Sequence, residues 1–214
     1  MKAEVHDLLH VDPEFVTPEC PAESAWVKDA LAASPWVVVR RDEAPADQIA
    51  VGVRGASRSD RWGGFIARDQ IRSIVRPTEL LLLHRASRYV PRTPVLKALR
   101  QMDERWQHLT FPWGPAGSVG FELATGQFST NDSSDLDLII RAPARLSRER
   151  ARSFWERTHG LGVHVDVRVE TPRCGFSLEE YACESSGRIL LRYPDGPKLG
   201  ADPWSEQSWG KQWA

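Results

Sequence analysis

The sequence predicts an α+β fold in two parts. A small, strand-rich N-terminal α/β domain spans residues 1–90, and a second domain with a mixed sheet that carries acidic residues spans residues 91–214. Short apolar runs bounded by turn residues predict strands in both parts. Longer stretches with apolar residues at helical spacing predict helices between the strands. Prolines at positions 91 and 94 mark the boundary between the parts.

The composition excludes several classes of protein. The 214 residues suffice to bury a core, and 28 Lys and Arg against 29 Asp and Glu give a net charge of -1. This balance argues against a polymerase or another nucleic-acid enzyme. Cys20, Cys174 and Cys183 lack metal-ligand spacing and predict a reducing cytoplasm. No run predicts a signal peptide or a membrane span.

The start of the chain carries two histidines four residues apart, His6 and His10, a spacing that metal ligands adopt on a helix. Prolines at 13, 18 and 21 break the stretch that begins HDLLHVDPEF into irregular chain, and a long helix is therefore disfavoured. We expect packed or hydrogen-bonding histidines. Residues 24–33 predict a short helix with Ser24 as its N-cap. Two apolar runs then predict a β-hairpin, residues 36–39 and 49–53.

Arginines alternate with glycine and serine in the segment VGVRGASRSDRWGGF. A guanidinium group binds an oxyanion through two parallel hydrogen bonds, and glycine lets the backbone approach a phosphate. The segment therefore predicts phosphate binding by Arg54, Arg58 and Arg61, with a solvated basic loop as the alternative.

Residues 79–84 are apolar but do not indicate helix or strand. Thr93 and Pro94 predict the N-cap and first residue of a helix. Apolar residues recur along one face of this helix, and we interpret them as core rather than as a cofactor site: Val95, Leu99, Met102 and Trp106.

The most informative stretch runs from residue 113 to residue 141. It contains a Gly-Ser turn, Gly117 and Ser118, and then Asp135 and Asp137 at the start of a predicted strand over residues 136–141. Side chains on a strand alternate, so the two aspartates project from one face. The alternating run VHVDVRVE supplies a third acid, Asp166, on what we expect to be a neighbouring strand.

Carboxylates gathered in this way suit Mg²⁺, which one or two carboxylates hold together with the phosphate oxygens of a substrate. The backbone N–H groups of a Gly-Ser turn can bind the leaving phosphates. The order of Gly-Ser, Asp-x-Asp and a strand-borne Asp is typical of nucleotidyltransferases. An Asp-x-Asp alone is common in solvated loops, and Asp166 alone could lie on the exposed face of an edge strand.

Beyond the aspartates, a helix is predicted over residues 147–159, with the serine at its start as the cap and Gly160 as its end. This helix gives a β-α-β connection between the acidic strands. Ser177 and Glu180 predict a capping box for a further helix, and residues 188–193 a last strand.

The chain resembles the malonate decarboxylase holo-acyl-carrier-protein synthases, also called phosphoribosyl-dephospho-CoA transferases. The resemblance spans nearly the whole chain. It rests on HDLL, PWVVVRR, VGVRG, VDVRVET, GPKL and DPW, and most specifically on WGPAGSVGFELATG and SDLDL. It implies transfer of phosphoribosyl-dephospho-CoA from 2'-(5''-triphosphoribosyl)-3'-dephospho-CoA to a serine of the apo acyl-carrier subunit of malonate decarboxylase, with release of pyrophosphate.

In such an enzyme Asp135, Asp137 and Asp166 would hold one or two Mg²⁺ ions, and Asp137 or Asp166 would accept the serine proton. Gly117 and Ser118 would bind the β and γ phosphates, and the three arginines named above would form a second anion contact between the domains.

Residues 119–134 separate the Gly-Ser turn from Asp135, an interval longer than nucleotidyltransferases usually have, and we expect a loop over the donor there. Two other functions stay open. The same carboxylates could support adenylyl transfer from ATP to a protein or a small molecule. Alternatively, the protein could be a non-catalytic adaptor that binds the carrier subunit.

Overall fold

A computed structural model describes residues 2–12, 21–55, 60–86, 91–184 and 187–205. These residues form two sheets with helices packed on them, which confirms the α+β class. None of the described helices is long and apolar enough to cross a membrane.

The first sheet has five antiparallel strands: β1 (Leu8–Val11), β2 (Trp36–Val39), β3 (Gln48–Arg54), β4 (Arg61–Ala67) and β5 (Ile71–Val75). Their order is β4-β3-β2-β1-β5. The predicted hairpin of β2 and β3 is confirmed. Helix α1 (Pro21–Ala33) buries Val27 and Leu31 in the same apolar cluster as the strands, and we call this cluster the first core.

Two predictions for the start of the chain are wrong. The residues from Leu8 to Val11, expected to be irregular, form a strand between β2 and β5 because Leu9 and Val11 are fully buried in the first core. Four residues are too few to display the alternation that identifies a strand. Helix α1 begins at Pro21 rather than after Ser24, since proline is favoured in the first turn of a helix.

The two N-terminal histidines have protein partners, as predicted. The Nε2 atom of His6 lies 3.0 Å from Oε1 of Glu170. The ring of His10 packs edge-on against Trp36, with 5.1 Å between the centroids.

The second sheet has six strands: β6 (Trp113–Pro115), β7 (Leu136–Arg141), β8 (Val165–Glu170), β9 (Gly175–Ser177), β10 (Ile189–Tyr193) and β11 (Gly196–Gly200). Their order is β11-β10-β9-β8-β7-β6. Only β7 and β8 are parallel among these neighbouring pairs, so the mixed sheet is confirmed. Strand β11 was not expected, because its glycines and proline do not display apolar alternation.

Helix α3 (Pro94–Arg105) packs its apolar stripe on one face of the second sheet, in what we call the second core. The interpretation of this stripe as core is confirmed, because its four predicted residues are at most 1% exposed. Trp106 also packs edge-on against Trp113, with 5.0 Å between the ring centroids. On β7, Leu136, Leu138 and Ile140 point into the second core. Asp137 therefore lies on the opposite face of the sheet.

The type or the bounds of the remaining helices differ from the predictions in two places. The apolar segment of undetermined type belongs to helix α2 (Pro77–Ala86), which packs against β6 and against helix α4 (Gly117–Thr125). The crossover between β7 and β8 contains helix α5 (Arg148–Glu156), and the backbone N–H of Arg150 donates to the cap residue Ser147 as predicted. This helix ends at Glu156 rather than at residue 159. Gly160, with a φ of +72°, lies in the turn that follows.

Helix α6 (Leu178–Cys183) has only half of the predicted capping box. The hydroxyl of Ser177 accepts from the backbone N–H of Glu180. The carboxylate of Glu180 instead accepts from the backbone N–H of Leu190 at 2.8 Å, which ties the helix to strand β10.

Charged side chains join the two sheets. Glu170, at the end of β8, is 7% exposed and contacts His6 and Arg41. Arg141, at the end of β7, donates to the fully buried Asp7 at 2.8 Å. Burial opposes the ionisation of Glu170, but the hydrogen bond from His6 and the charge of Arg41 outweigh it and lower the pKa.

The predicted domain boundary at residue 90 lies within residues 87–90, which are outside the described residues, so the boundary stays a prediction.

Candidate active site

Two of the predicted acids face each other on the parallel strands of the second sheet. Asp137 on β7 is the register partner of Asp166 on β8. Both side chains lie on the face opposite the second core, because Val167 and Val169 of β8 point into that core. Both are partly exposed to solvent. We call Asp137 and Asp166 the carboxylate pair.

The third predicted acid, Asp135, immediately precedes β7 and is also partly exposed. Burial raises the pKa of Asp137, and the charges of Asp166 and Asp135 raise it further. Arg54 and Arg168 act in the opposite direction. Asp166 and Asp135 are therefore each close enough to repel Asp137, which indicates a place where a cation would be stabilised.

The predicted Gly-Ser turn forms the first two residues of helix α4, directly beside the carboxylate pair. Gly117 has a φ of +56°, and a Cβ atom at this position would overlap Oδ2 of Asp137. The backbone N–H of Ala116 donates to the carbonyl of Asp137 at 2.9 Å, which fixes the helix start on β7. The N-cap residue of α4 is Ala116, whose side chain makes no hydrogen bond to the start of the helix. The first N–H groups of α4 thus offer donors to an anion.

Two of the predicted arginines, Arg54 and Arg61, lie at one end of the β3–β4 hairpin of the first sheet. Arg54 ends β3 and is the register partner of Arg61, which begins β4. Arg54 is close enough to Asp137 to lower its pKa. Arg58 lies outside the described residues. The described residues of this segment are largely strand rather than loop, with Gly63 and Gly64 inside β4. Phosphate binding by these arginines stays a prediction.

One charged neighbour of the carboxylate pair was missed from the sequence. The Nη2 atom of Arg168 donates to Oδ2 of Asp166 at 2.8 Å. Its position two residues after Asp166 was the available signal, since residues two apart on a strand share a face. The guanidinium group of Arg168, on the same strand, therefore partly offsets the negative charge of Asp166.

The interval between Ser118 and Asp135 is ordered by polar contacts. Its first part is the rest of helix α4, which ends at Thr125 and is followed by Gly126 in the left-handed conformation. The carboxylate of Glu122 accepts from the backbone N–H groups of Ser129 and Thr130 at 3.0 and 2.8 Å. The hydroxyl of Ser129 donates to the carbonyl of Ser118 at 2.8 Å. The expectation that this segment lies over the bound donor stays a prediction.

The carboxylate pair fits the ligand requirement of Mg²⁺, which takes one or two carboxylates and completes its shell with water and phosphate oxygens. Burial raises the pKa of Asp137 and repulsion by Asp166 raises it further, and a bound cation would offset that repulsion. Within the described part of the chain, no three His, Cys, Asp or Glu residues enclose a metal position by themselves. A metal here would thus depend on ligands from the substrate. Metal binding by Asp135, Asp137 and Asp166 stays a prediction.

Comparison with known proteins identifies the family. Residues 4–77 match the model described as Phosphoribosyl-dephospho-CoA transferase MdcG N-terminal domain, and residues 81–203 match that of the corresponding C-terminal domain. A Pseudomonas syringae pv. tomato protein named phosphoribosyl-dephospho-CoA transferase is 38% identical, over 93% of this chain and 92% of its own. Proteins of the same name from Klebsiella pneumoniae and Azotobacter vinelandii are 37% and 36% identical. They cover 94% and 86% of this chain, and 96% and 87% of their own lengths.

No solved structure matches the chain. The two family models together cover most of the sequence, and the relatives are similar over nearly their full lengths. The chain therefore belongs to the phosphoribosyl-dephospho-CoA transferase family.

Proposed function

We propose that the protein transfers phosphoribosyl-dephospho-CoA from its triphosphoribosyl donor to a serine of the apo acyl-carrier subunit of malonate decarboxylase. The observation that carries this proposal is family membership along almost the whole chain. The carboxylate pair beside the first turn of α4 supports it, because the reaction needs a site for a triphosphate next to acidic groups. The protein is accordingly a transferase of the nucleotidyltransferase type.

In this reaction the serine oxygen bonds to the α-phosphorus of the donor, and the bond from that phosphorus to pyrophosphate breaks. The serine proton passes to a carboxylate of the pair. The N–H groups of Gly117 and Ser118 bind the β and γ phosphates, and Arg54 contributes positive charge from the first sheet. Asp137 and Asp166, with Asp135 adjoining, would hold Mg²⁺, which would supply positive charge that offsets the negative charge on the triphosphate.

We place the protein in the cytoplasm. The support is chemical, because Cys174 and Cys183 are free thiols in the described part of the chain. Cys20 lies outside the described residues.

Intact mass spectrometry of the apo acyl-carrier subunit tests the proposal. The subunit is incubated with this protein, Mg²⁺ and the triphosphoribosyl donor, and in parallel with ATP in place of the donor. We expect a mass gain equal to phosphoribosyl-dephospho-CoA with the donor alone, and none with the Asp137→Asn variant. A gain of an adenylyl group with ATP would indicate the alternative transfer reaction. No gain in either sample would favour an adaptor.

A further inference from the structure

A second charged cluster lies on the same sheet face as the carboxylate pair. Arg168 on β8 shares this face with Asp166, two residues away. On β10, Ile189 and Leu191 point into the second core, so Arg192 also lies on the opposite face. We call Arg168 and Arg192 the arginine pair.

Strand β9 separates the two arginines and contributes only small residues to their face of the sheet, and the carboxylate of Glu170 lies against Gly175 on that face. Arg168 is the register partner of Ser177, and Arg192 is the register partner of Gly175. Gly175 has no side chain, and Ser177 has a short one that caps helix α6. β9 therefore places no long side chain of its own between the two guanidinium groups, and Glu170 of β8 is the acidic side chain next to Arg192 at Gly175.

The two arginines differ in their partners. Arg168 donates to Asp166 at 2.8 Å, so its guanidinium is directed toward the carboxylate pair. The Nη1 atom of Arg192 is buried and has no hydrogen-bond partner among the described residues. A buried N–H donor of a charged group without a partner is costly, and such a donor in a native fold calls for an explanation.

The charges around Arg192 are mixed. Burial lowers its pKa, and the like charge of Arg168 lowers it further. The carboxylates of Glu180, Asp166 and Glu170 act in the opposite direction without outweighing these two effects. Glu170 is occupied by His6 and Arg41, and Glu180 accepts from the backbone of Leu190. An anion between the arginines would relieve their repulsion and supply the missing acceptor.

We propose that the arginine pair adds a side-chain contact to the diphosphate portion of the donor that leaves as pyrophosphate, the same portion that the N–H groups of Gly117 and Ser118 bind. This inference rests on the proposed function. A diphosphate offers several oxygens to guanidinium groups, which bind phosphate in a bidentate manner. The donor also has a diphosphate in its dephospho-CoA part. We assign the leaving diphosphate because Arg168 contacts Asp166, and the leaving group is bonded directly to the phosphorus that reacts at the carboxylate pair.

Binding of inorganic pyrophosphate and of dephospho-CoA, measured by calorimetry at one Mg²⁺ concentration, tests this assignment. We expect Arg192→Gln to raise the Kd for pyrophosphate about tenfold, with dephospho-CoA binding unchanged. Arg192→Lys keeps the positive charge but not the guanidinium group that binds phosphate through two hydrogen bonds, and it should give a smaller increase in the Kd for pyrophosphate. Arg72→Gln, on β5 of the first sheet, is the matched control and should bind pyrophosphate as the wild type does.

Thermal unfolding separates binding from structure. Because Nη1 of Arg192 has no partner to lose, Arg192→Gln should retain or increase the wild-type Tm. Arg168→Gln is less informative because it also frees Asp166. Wild-type pyrophosphate affinity in Arg192→Gln would overturn the proposal, as would a loss confined to dephospho-CoA or a wild type that does not bind pyrophosphate. The mass spectrometric assay on the wild type decides the proposed function separately.

Discussion

Gly117 lies directly against the carboxylate of Asp137, and a Cβ atom at position 117 would overlap Oδ2 of that carboxylate. The glycine also has a φ of +56°, a conformation that costs other residues about 1 kcal/mol. We therefore expect Gly117→Ala to displace Asp137 and to reduce the rate of transfer by about 100-fold, since small displacements of reacting groups have effects of this size. The measurement is the initial rate of carrier-subunit modification.

Gly126 provides the matched control for this substitution. It ends the same helix with a φ of +72°, but a Cβ atom there would meet nothing within 4 Å. Gly126→Ala should have the conformational cost alone and keep most of the activity. Equal losses of activity in both variants would show that strain, and not the contact with Asp137, explains the effect.

Asp137→Asn should remove activity without weakening the fold. Burial and the neighbouring carboxylates raise the pKa of Asp137, so ionisation of this group destabilises the folded, metal-free protein. In EDTA we expect the variant to be at least as stable as the wild type, with transfer reduced by at least about 100-fold. The wild type should lose stability relative to the variant as the pH rises above 3.8 through the raised pKa. Urea unfolding at several pH values measures this difference, and a variant that is less stable at every pH would contradict the prediction.

Magnesium should distinguish the same two proteins. If the carboxylate pair is the metal site, Mg²⁺ raises the Tm of the wild type because it binds only the folded state. Asp137→Asn should not show this increase, and EDTA should abolish transfer by the wild type until Mg²⁺ is restored. An equal increase of Tm in both proteins would place the metal elsewhere.

The pairing of Asp137 with Asp166 could be foreseen because each link is local. Alternation within a strand fixes the face of each aspartate, and one capped helix between two apolar strands predicts a parallel crossover. The position of Gly117 beside this pair could be predicted from the order of the motifs, in which the Gly-Ser turn precedes the Asp-x-Asp. Neither step requires knowledge of a distant part of the chain.

The contacts that were missed depend on distant pairing. Strand β1 is a strand because Leu9 and Val11 enter a core built by residues far along the chain, and its own four residues show no pattern. Arg192 lies near Arg168 only because β9 places them two strands apart, and β9 itself has three residues. Such pairings depend on tertiary packing, which a single sequence does not display.

Arg54→Ala should weaken donor binding more than it slows the chemical step. Arg54 lowers the pKa of Asp137 by its charge, so it lies near the proposed triphosphate position, yet its side chain is exposed. We expect the KM for the donor to rise roughly three- to tenfold, with a smaller effect on kcat. Arg68→Ala, at the other end of β4, is the control. An unchanged KM in Arg54→Ala would support the solvated-loop interpretation of this segment.

Glu170→Gln should weaken the contact between the two sheets in a pH-dependent way. Glu170 is 7% exposed and contacts Arg41, which is 15% exposed, and the amide would leave Arg41 without its charged partner. We expect a loss of about 2 kcal/mol in the free energy of unfolding at neutral pH. The pKa of Glu170 is lowered in the folded state, so its contribution is present above the ordinary value of 4.5 and is lost as the pH falls through the lowered pKa. Wild type and variant should therefore approach the same stability in acid.

Glu4→Gln is the control. It removes a partner of Arg141 that is 45% exposed, and it should reduce the free energy of unfolding by about 0.5 kcal/mol or less. Urea unfolding from about pH 2 to about pH 7, a range that extends well below and above the ordinary carboxylate pKa of about 4, measures both variants. A difference between Glu170→Gln and wild type that persists undiminished in acid would mean that shape, and not charge, holds the sheets together at this position.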